Sequence, residues 1–169
     1  MSGFDLKLKI DGIRSGDRID LSADEQACAE IAHRLGLLGL DRLEAHAVLE
    51  RDAAEIRATG RLRASLQQPC VITGDPVAAQ IDEPFELLFR PEPTDVRPDE
   101  EIELSPEDCD VVFHDGATID LGAAIADTLA LSIDPYPRSA GADAALKEAG
   151  VLSEAEAGPF AALAKLKRD

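Results

Sequence analysis

Cysteines and histidines are the side chains of this sequence that could act as nucleophiles, general bases or metal ligands. The chain has three of each: Cys28, Cys70, Cys109, His33, His46 and His114. A nucleophilic cysteine needs a base beside it, and nothing local places a histidine next to a thiol. A closed zinc site needs four tetrahedral donors, and these six residues show no paired spacing. We therefore expect no catalytic residue, no metal site and no cofactor.

The sequence around these residues favours structural roles for them. Cys28 recurs with apolar residues at helical spacing and Cys70 precedes a turn, so we expect both to be small buried residues. His46 lies among outward-facing polar positions, and His114 directly precedes a turn. We expect both imidazoles to be exposed to solvent.

A basic stripe is the other feature that could bind a ligand. In the segment EIRATGRLRASL, apolar residues alternate with Arg57, Arg61 and Arg63, which places the three arginines on the outer face of one strand. These arginines could bind RNA phosphates, which would position an RNA without reading its bases. Lys7 and Lys9, on the outer side of the first strand, would add to the stripe if that strand lies alongside.

The same stripe has a second interpretation. Basic residues on an exposed strand usually serve solubility and cross-strand ion pairing, and Glu44 and Glu50 are candidate partners. The sequence leaves both interpretations open.

The distribution of charge bears on the choice of partner. A formal net charge of −17 would by itself argue against a nucleic acid, because phosphate affinity comes from Lys and Arg. Residues 1–66, however, hold 10 of the 17 basic residues and 12 of the 34 acidic ones, a net charge of −2. The remaining residues carry a net charge of −15, which could attract a basic protein.

Period-two alternation predicts most of the strands. It covers the first residues from Phe4 to Ile10, then LLGLDRLEAHAVLERD, the arginine segment and the stretch from Val77 to Phe89. The short connection 52–54 predicts an antiparallel hairpin, and 73–76 (TGDP) predicts a turn. A further brief strand is expected from Asp110 to His114.

Two helices are expected to cover the apolar face of the sheet. The first runs from Ser22 to Leu35, with a capping box formed by Ser22 and Glu25 and an end at Gly36. The second runs from Leu121 to Ile133 and is capped by Asp120. Weaker signals predict a helix at 143–149 and a short terminal helix from Pro159.

The predicted fold is α+β: a largely antiparallel β-sheet, able to curl toward a barrel, with two covering helices. Residues 1–138 are expected to form a single domain that includes an acidic surface loop at 92–109. Residues 139–169 are expected to form a weakly ordered C-terminal tail with a short terminal helix. No apolar run is long enough for a membrane span, and the first ten residues lack the continuous apolar region of a signal peptide. Three widely spaced cysteines fit a reducing compartment, so we expect a cytoplasmic protein.

Several segments in order resemble the bacterial YceD family, also called large ribosomal RNA subunit accumulation protein. They are PCVITGDPVAAQIDEPFELLF, the acidic loop, TIDLGAAIADTLALSIDPYPR and GPFAALAKLK. The resemblance implies a non-enzymatic cytoplasmic factor needed for accumulation of large-subunit (23S) ribosomal RNA, through contact with that RNA or with a large-subunit precursor.

The chain departs from the family at one point. Many relatives carry a Cys-x-x-Cys pair at the turn, with further cysteines downstream that suggest a metal. Here the matching residues are Cys70-Val71-Ile72-Thr73, and 137–141 contain no cysteine. An alternative function stays open as well, an acidic protein-interaction module that docks basic ribosomal proteins or an RNA-processing enzyme.

Overall fold

The protein combines two β-sheets with three helices in a computed structural model that describes residues 4–93 and 110–151. The elements are β1 (Lys7–Lys9), a short 3-10 turn (Ile10–Gly12), β2 (Asp17–Ser22), α1 (Glu25–Leu35), β3 (Gly39–Asp52), β4 (Glu55–Pro69), β5 (Pro76–Pro91), β6 (Val111–His114), β7 (Thr118–Asp120), α2 (Leu121–Ser132) and α3 (Ala142–Glu148). The predicted α+β class is confirmed.

The larger sheet has five strands in the order β2-β3-β4-β5-β6. β2, β3 and β4 are antiparallel neighbours, whereas β5 and β6 run parallel, with Leu88 opposite Val111. Among the described residues the sheet is open, because β2 and β6 form its two edges. The expected antiparallel character is confirmed, and the strands do not close into a barrel.

A long hairpin of β3 and β4 forms the centre of this sheet. Its inner face is apolar along both strands and includes Leu43, Leu49, Ile56 and Leu62, each at most 1% exposed. The turn is as short as predicted, and Ala53 adopts a positive φ of 54° in it. The alternation in the sequence therefore predicted the two faces correctly.

The two covering helices begin where a side chain caps them. Asp24 accepts a hydrogen bond from the N–H of Ala27 at 2.8 Å, and Asp120 accepts one from Ala123 at 2.9 Å. The predicted cap at Asp120 is confirmed, but the predicted capping box at Ser22 is wrong. Ser22 is the last residue of β2, a strand that the sequence analysis missed, and the helix begins after it.

Buried apolar residues from the larger sheet, α1 and α2 form the main core, in which Phe89, Ile125 and Leu129 are fully buried. Ile119 of β7 joins the same core. No helix within the described ranges is long and apolar enough to cross a membrane.

The chain divides into two compact units. One comprises residues 1–67 and 78–133, and the other comprises 68–77 and 134–169. The predicted boundary between a domain and a tail at residue 138 stays a prediction. Most of the acidic loop at 92–109 and the predicted terminal helix lie outside the described residues.

Candidate functional site: the arginine face

The arginine face consists of Arg57, Arg61 and Arg63 on the outer side of β4. Each alternates with a buried residue of the inner side, as the pleat of a strand requires. Their side chains are 50%, 52% and 60% exposed. The prediction that these three guanidinium groups share a solvent-facing side is confirmed.

Carboxylates of β5 contact all three arginines. Arg57 forms an ion pair with Glu86, and Arg61 forms one with Asp82. Arg63 Nε lies 3.4 Å from the other carboxylate oxygen of Asp82. The arginine face is therefore a row of ion pairs across β4 and β5.

The ion-pair partners differ from the expected ones. Glu50 stands opposite Arg57 and Glu44 opposite Arg63 in the β3–β4 register, as the hairpin requires. Glu44 nevertheless pairs with Arg42 of its own strand at 2.5 Å. The alternation of apolar and polar residues predicts the face on which a residue lies. It does not predict which of the two adjacent strands supplies the carboxylate nearest to an arginine.

The pairs are open to water, with every partner at least half exposed. A hydrogen bond from the Arg61 guanidinium is the main cause that lowers the pKa of Asp82, and Arg63 adds to the effect. Exposed pairs of this kind each stabilise a fold by roughly 0–1 kcal/mol. The guanidinium groups can exchange one anionic partner for another at little energetic cost.

Lys7 and Lys9 do not extend the arginine face. β1 pairs with β7 in a separate two-stranded sheet, where Lys7 stands opposite Asp120. The condition under which the two lysines would add to the stripe, that the first strand lies alongside it, is not met. β1 has only three residues, which are too few for the sequence to indicate the strand with which it pairs.

His46 and His114, which were both expected to be exposed, occupy different environments. His46 is exposed, as expected, and its Nδ1 lies 2.6 Å from Asp20. His114 is buried, contrary to expectation, because its ring lies against the β3–β4 hairpin. Its Nε2 is 3.0 Å from the carbonyl oxygen of Ala54, and the N–H of Gly116 donates to its Nδ1 at 3.0 Å. Both ring nitrogens are therefore used for structure.

A hydrogen-bonded turn surrounds Cys70 in the second unit. The N–H of Ser139 donates to Cys70 Sγ at 3.2 Å, and Thr73 Oγ1 donates to Asp75 at 2.7 Å. Hydrogen bonds from Ser139 are the main cause that lowers the pKa of Cys70 from 9.0 to about 6, with Thr73 contributing less. Cys70 is buried, as expected, but it also accepts hydrogen bonds. The sequence did not predict them, because the donor Ser139 lies 69 residues away in the chain.

The donors at this turn do not fit the zinc site suggested by the family resemblance. Among the residues that the structure describes, Cys70 is the only thiol there. The position three residues later is a threonine whose hydroxyl is directed to a carboxylate and lies 3.2 Å from Ser139 Oγ. Neutral hydroxyls are not zinc ligands of the structural type. Within residues 4–93 and 110–151, no three His, Cys, Asp or Glu residues lie together as a metal site would require.

Comparisons with known proteins identify the family. A search of the curated proteins and a search of the solved structures gave no significant match. The family model for YceD, described as large ribosomal RNA subunit accumulation protein, matches residues 58–167. The match includes Arg61, Arg63 and the Cys70 turn, and it covers well over half of the chain. The chain therefore belongs to the YceD family.

Proposed function

We propose that this protein is a non-enzymatic, cytoplasmic accessory factor for the accumulation of large-subunit ribosomal RNA. It acts by binding the RNA or a large-subunit precursor through the arginine face. Membership of the YceD family supports the role, because the family is described by that RNA. The choice of this contact surface is supported by the row of three half-exposed guanidinium groups on one side of β4.

The ion pairs to Glu86 and Asp82 are compatible with this contact. An arginine fork matches a phosphate as well as it matches a carboxylate, and it can bind either with two parallel hydrogen bonds. Because the existing pairs are exposed, RNA phosphates compete against weak interactions. The displaced carboxylates would stay close to the phosphates, however, so we expect the affinity to be modest and strongly dependent on salt.

The arginine face positions an RNA without selecting its sequence. Contacts to phosphates carry no base information. The neighbouring strand β5 offers the arginine face no aromatic ring on which a base could stack, because Phe85 and Phe89 are buried on its inner side. Selection of the large-subunit RNA therefore depends on its shape or on a second partner.

A salt titration of purified protein with 23S ribosomal RNA tests the proposal. Three phosphate contacts to single-stranded RNA predict that the logarithm of affinity falls with the logarithm of salt concentration with a slope of about −2. The combined substitution Arg57→Gln, Arg61→Gln and Arg63→Gln is expected to abolish that binding. Asp82→Asn removes the shared competing carboxylate and is expected to tighten it.

The matched control is the triple substitution Arg14→Gln, Arg34→Gln and Arg138→Gln. These arginines are exposed and lie outside the arginine face, and the change in net charge is the same. Equal loss of binding in the two triple variants would show a general charge effect and would contradict the proposed surface. So would weaker binding by the Asp82→Asn protein.

A further inference from the structure

A groove on the first unit, which we call the acidic groove, combines an apolar floor with a charged rim. It has a volume of about 650 Å³, within the roughly 300–1,000 Å³ range of ligand pockets. Residues of β5, β6, β7 and α2 line it, together with Lys7 of β1. Its floor is formed by buried residues continuous with the core: Phe85, Leu87, Phe89, Ile119 and Ala124.

Two large apolar side chains project from the rim of the groove into solvent. Leu131 of α2 is 84% exposed, and Phe113 of β6 is 56% exposed. Single exposed apolar residues are common, but two of them beside an apolar cleft indicate a contact surface. Such side chains can close over an apolar group that enters the groove.

The charge of the groove selects the partner. Its lining contains one basic residue, Lys7, and five acidic ones: Glu86, Asp110, Asp115, Asp120 and Asp127. Glu86 and Asp127 are partly neutralised by Arg57 and Arg34. Even if both arginines are counted with Lys7, two negative charges are left. N–H groups of Ala117 and then Thr118 lower the pKa of Asp115, so this carboxylate is ionised at neutral pH.

We propose that the acidic groove is a docking site for a basic protein segment that carries large apolar side chains. The apolar side chains enter the cleft between β6 and α2, and the lysines or arginines beside them face the carboxylates of the rim. An RNA would be repelled by these carboxylates. A second copy of the chain would place two acidic rims against each other, which electrostatic complementarity disfavours.

Binding of short synthetic peptides tests this docking site. The probes are peptides that together cover the proteins of the large ribosomal subunit, measured by fluorescence anisotropy with the purified full-length protein. We expect the bound peptides to be basic and to contain large apolar residues. Replacing those residues with serine is expected to weaken binding about tenfold or more, the effect of losing one buried anchor.

Variants of the protein locate the site. Leu131→Glu and Asp127→Lys are both expected to weaken peptide binding about tenfold. The matched controls are Leu38→Glu and Asp41→Lys, which change exposed residues outside the groove and are expected to leave binding unchanged. Because all four side chains are exposed, the variants are expected to fold, and circular dichroism checks this.

Several results would overturn the inference. They are the absence of any bound peptide, equal binding of peptides with and without apolar residues, and equal effects of Leu131→Glu and Leu38→Glu. Self-association that Leu131→Glu abolishes, seen by analytical ultracentrifugation, would assign the groove to a second copy instead. The inference does not rest on the arginine face, because a protein that loses RNA binding through its arginine substitutions should still bind the peptides.

Discussion

Gly60 is the position where one added methyl group is expected to disrupt the central hairpin. It lies on the inner side of β4, paired with Ala47 of β3. A Cβ atom at this position would lie 1.9 Å from the carbonyl oxygen of His46 and 2.8 Å from Cζ of Phe85. The first of these neighbours is backbone, so it cannot avoid the methyl group by a change of rotamer.

The size of the effect follows from the displacement that is needed. Restoring an ordinary contact of 3.4 Å moves the His46 carbonyl by about 1.5 Å, roughly a third of the spacing between strands. Overpacking of this kind costs about 1–3 kcal/mol, and each buried backbone group that loses its hydrogen bond costs about 1–3 kcal/mol. We expect Gly60→Ala to lower the free energy of unfolding by about 3 kcal/mol or more.

Urea unfolding followed by far-UV circular dichroism measures this change, since the chain contains no tryptophan. In thermal unfolding the expected decrease in Tm is roughly 6–12 °C. The matched control is Gly39→Ala in β3, where an added Cβ would meet no atom within 4 Å. We expect it to stay within about 0.5 kcal/mol of the unmodified protein. Equal unfolding midpoints for the two variants would refute this prediction, because they would show that the close approach of β3 to Gly60 does not affect stability.

Three further predictions concern the helix cap and the buried thiol. Asp24→Ala is expected to lower the free energy of unfolding by about 0.5–2 kcal/mol because it removes the cap of α1, whereas Ser22→Ala should change it little. Urea unfolding measures both changes, and a larger loss in the Ser22→Ala protein would contradict the prediction. Because the pKa of Cys70 is lowered to about 6, its contribution to stability is present above pH 9 and is lost as the pH falls through about 6. Ser139→Ala removes the main hydrogen-bonding side chain and is expected to raise that pKa, measured as the pH dependence of iodoacetamide labelling of a Cys28→Ala, Cys109→Ala protein. An unchanged labelling profile would show that Ser139 does not stabilise the thiolate.

Local patterns predicted the elements better than their pairing. The alternation in β3, β4 and β5 correctly identified the inner and outer faces, because a pleated strand allows only two. The same pattern could not show that β1 pairs with β7, or that β6 runs parallel to β5. Those arrangements depend on contacts between residues far apart in the chain.

Only part of the candidate site was predicted, because the rest also depends on contacts between distant residues. The alternation of residues placed Arg57, Arg61 and Arg63 on one face, but the carboxylates of β5 that contact them depend on the register between the strands. The burial of His114 had no local signal, since one histidine before a turn is usually exposed. Sequence patterns could not predict the acidic groove either, because its lining comes from five separate elements.

The pleat of β4 sets a spacing on its outer side. Side chains two positions apart on a strand are separated by about 6.6 Å, so Arg61 and Arg63 stand about that far apart and Arg57 about 13 Å from Arg61. Thr59 occupies the intervening outward position. An extended nucleotide chain running along β4 would meet four evenly spaced outward side chains, of which three are arginines and one is the neutral Thr59. The proposed RNA contact would therefore favour unpaired stretches of RNA over a folded RNA helix, whose curved backbone matches this spacing less well.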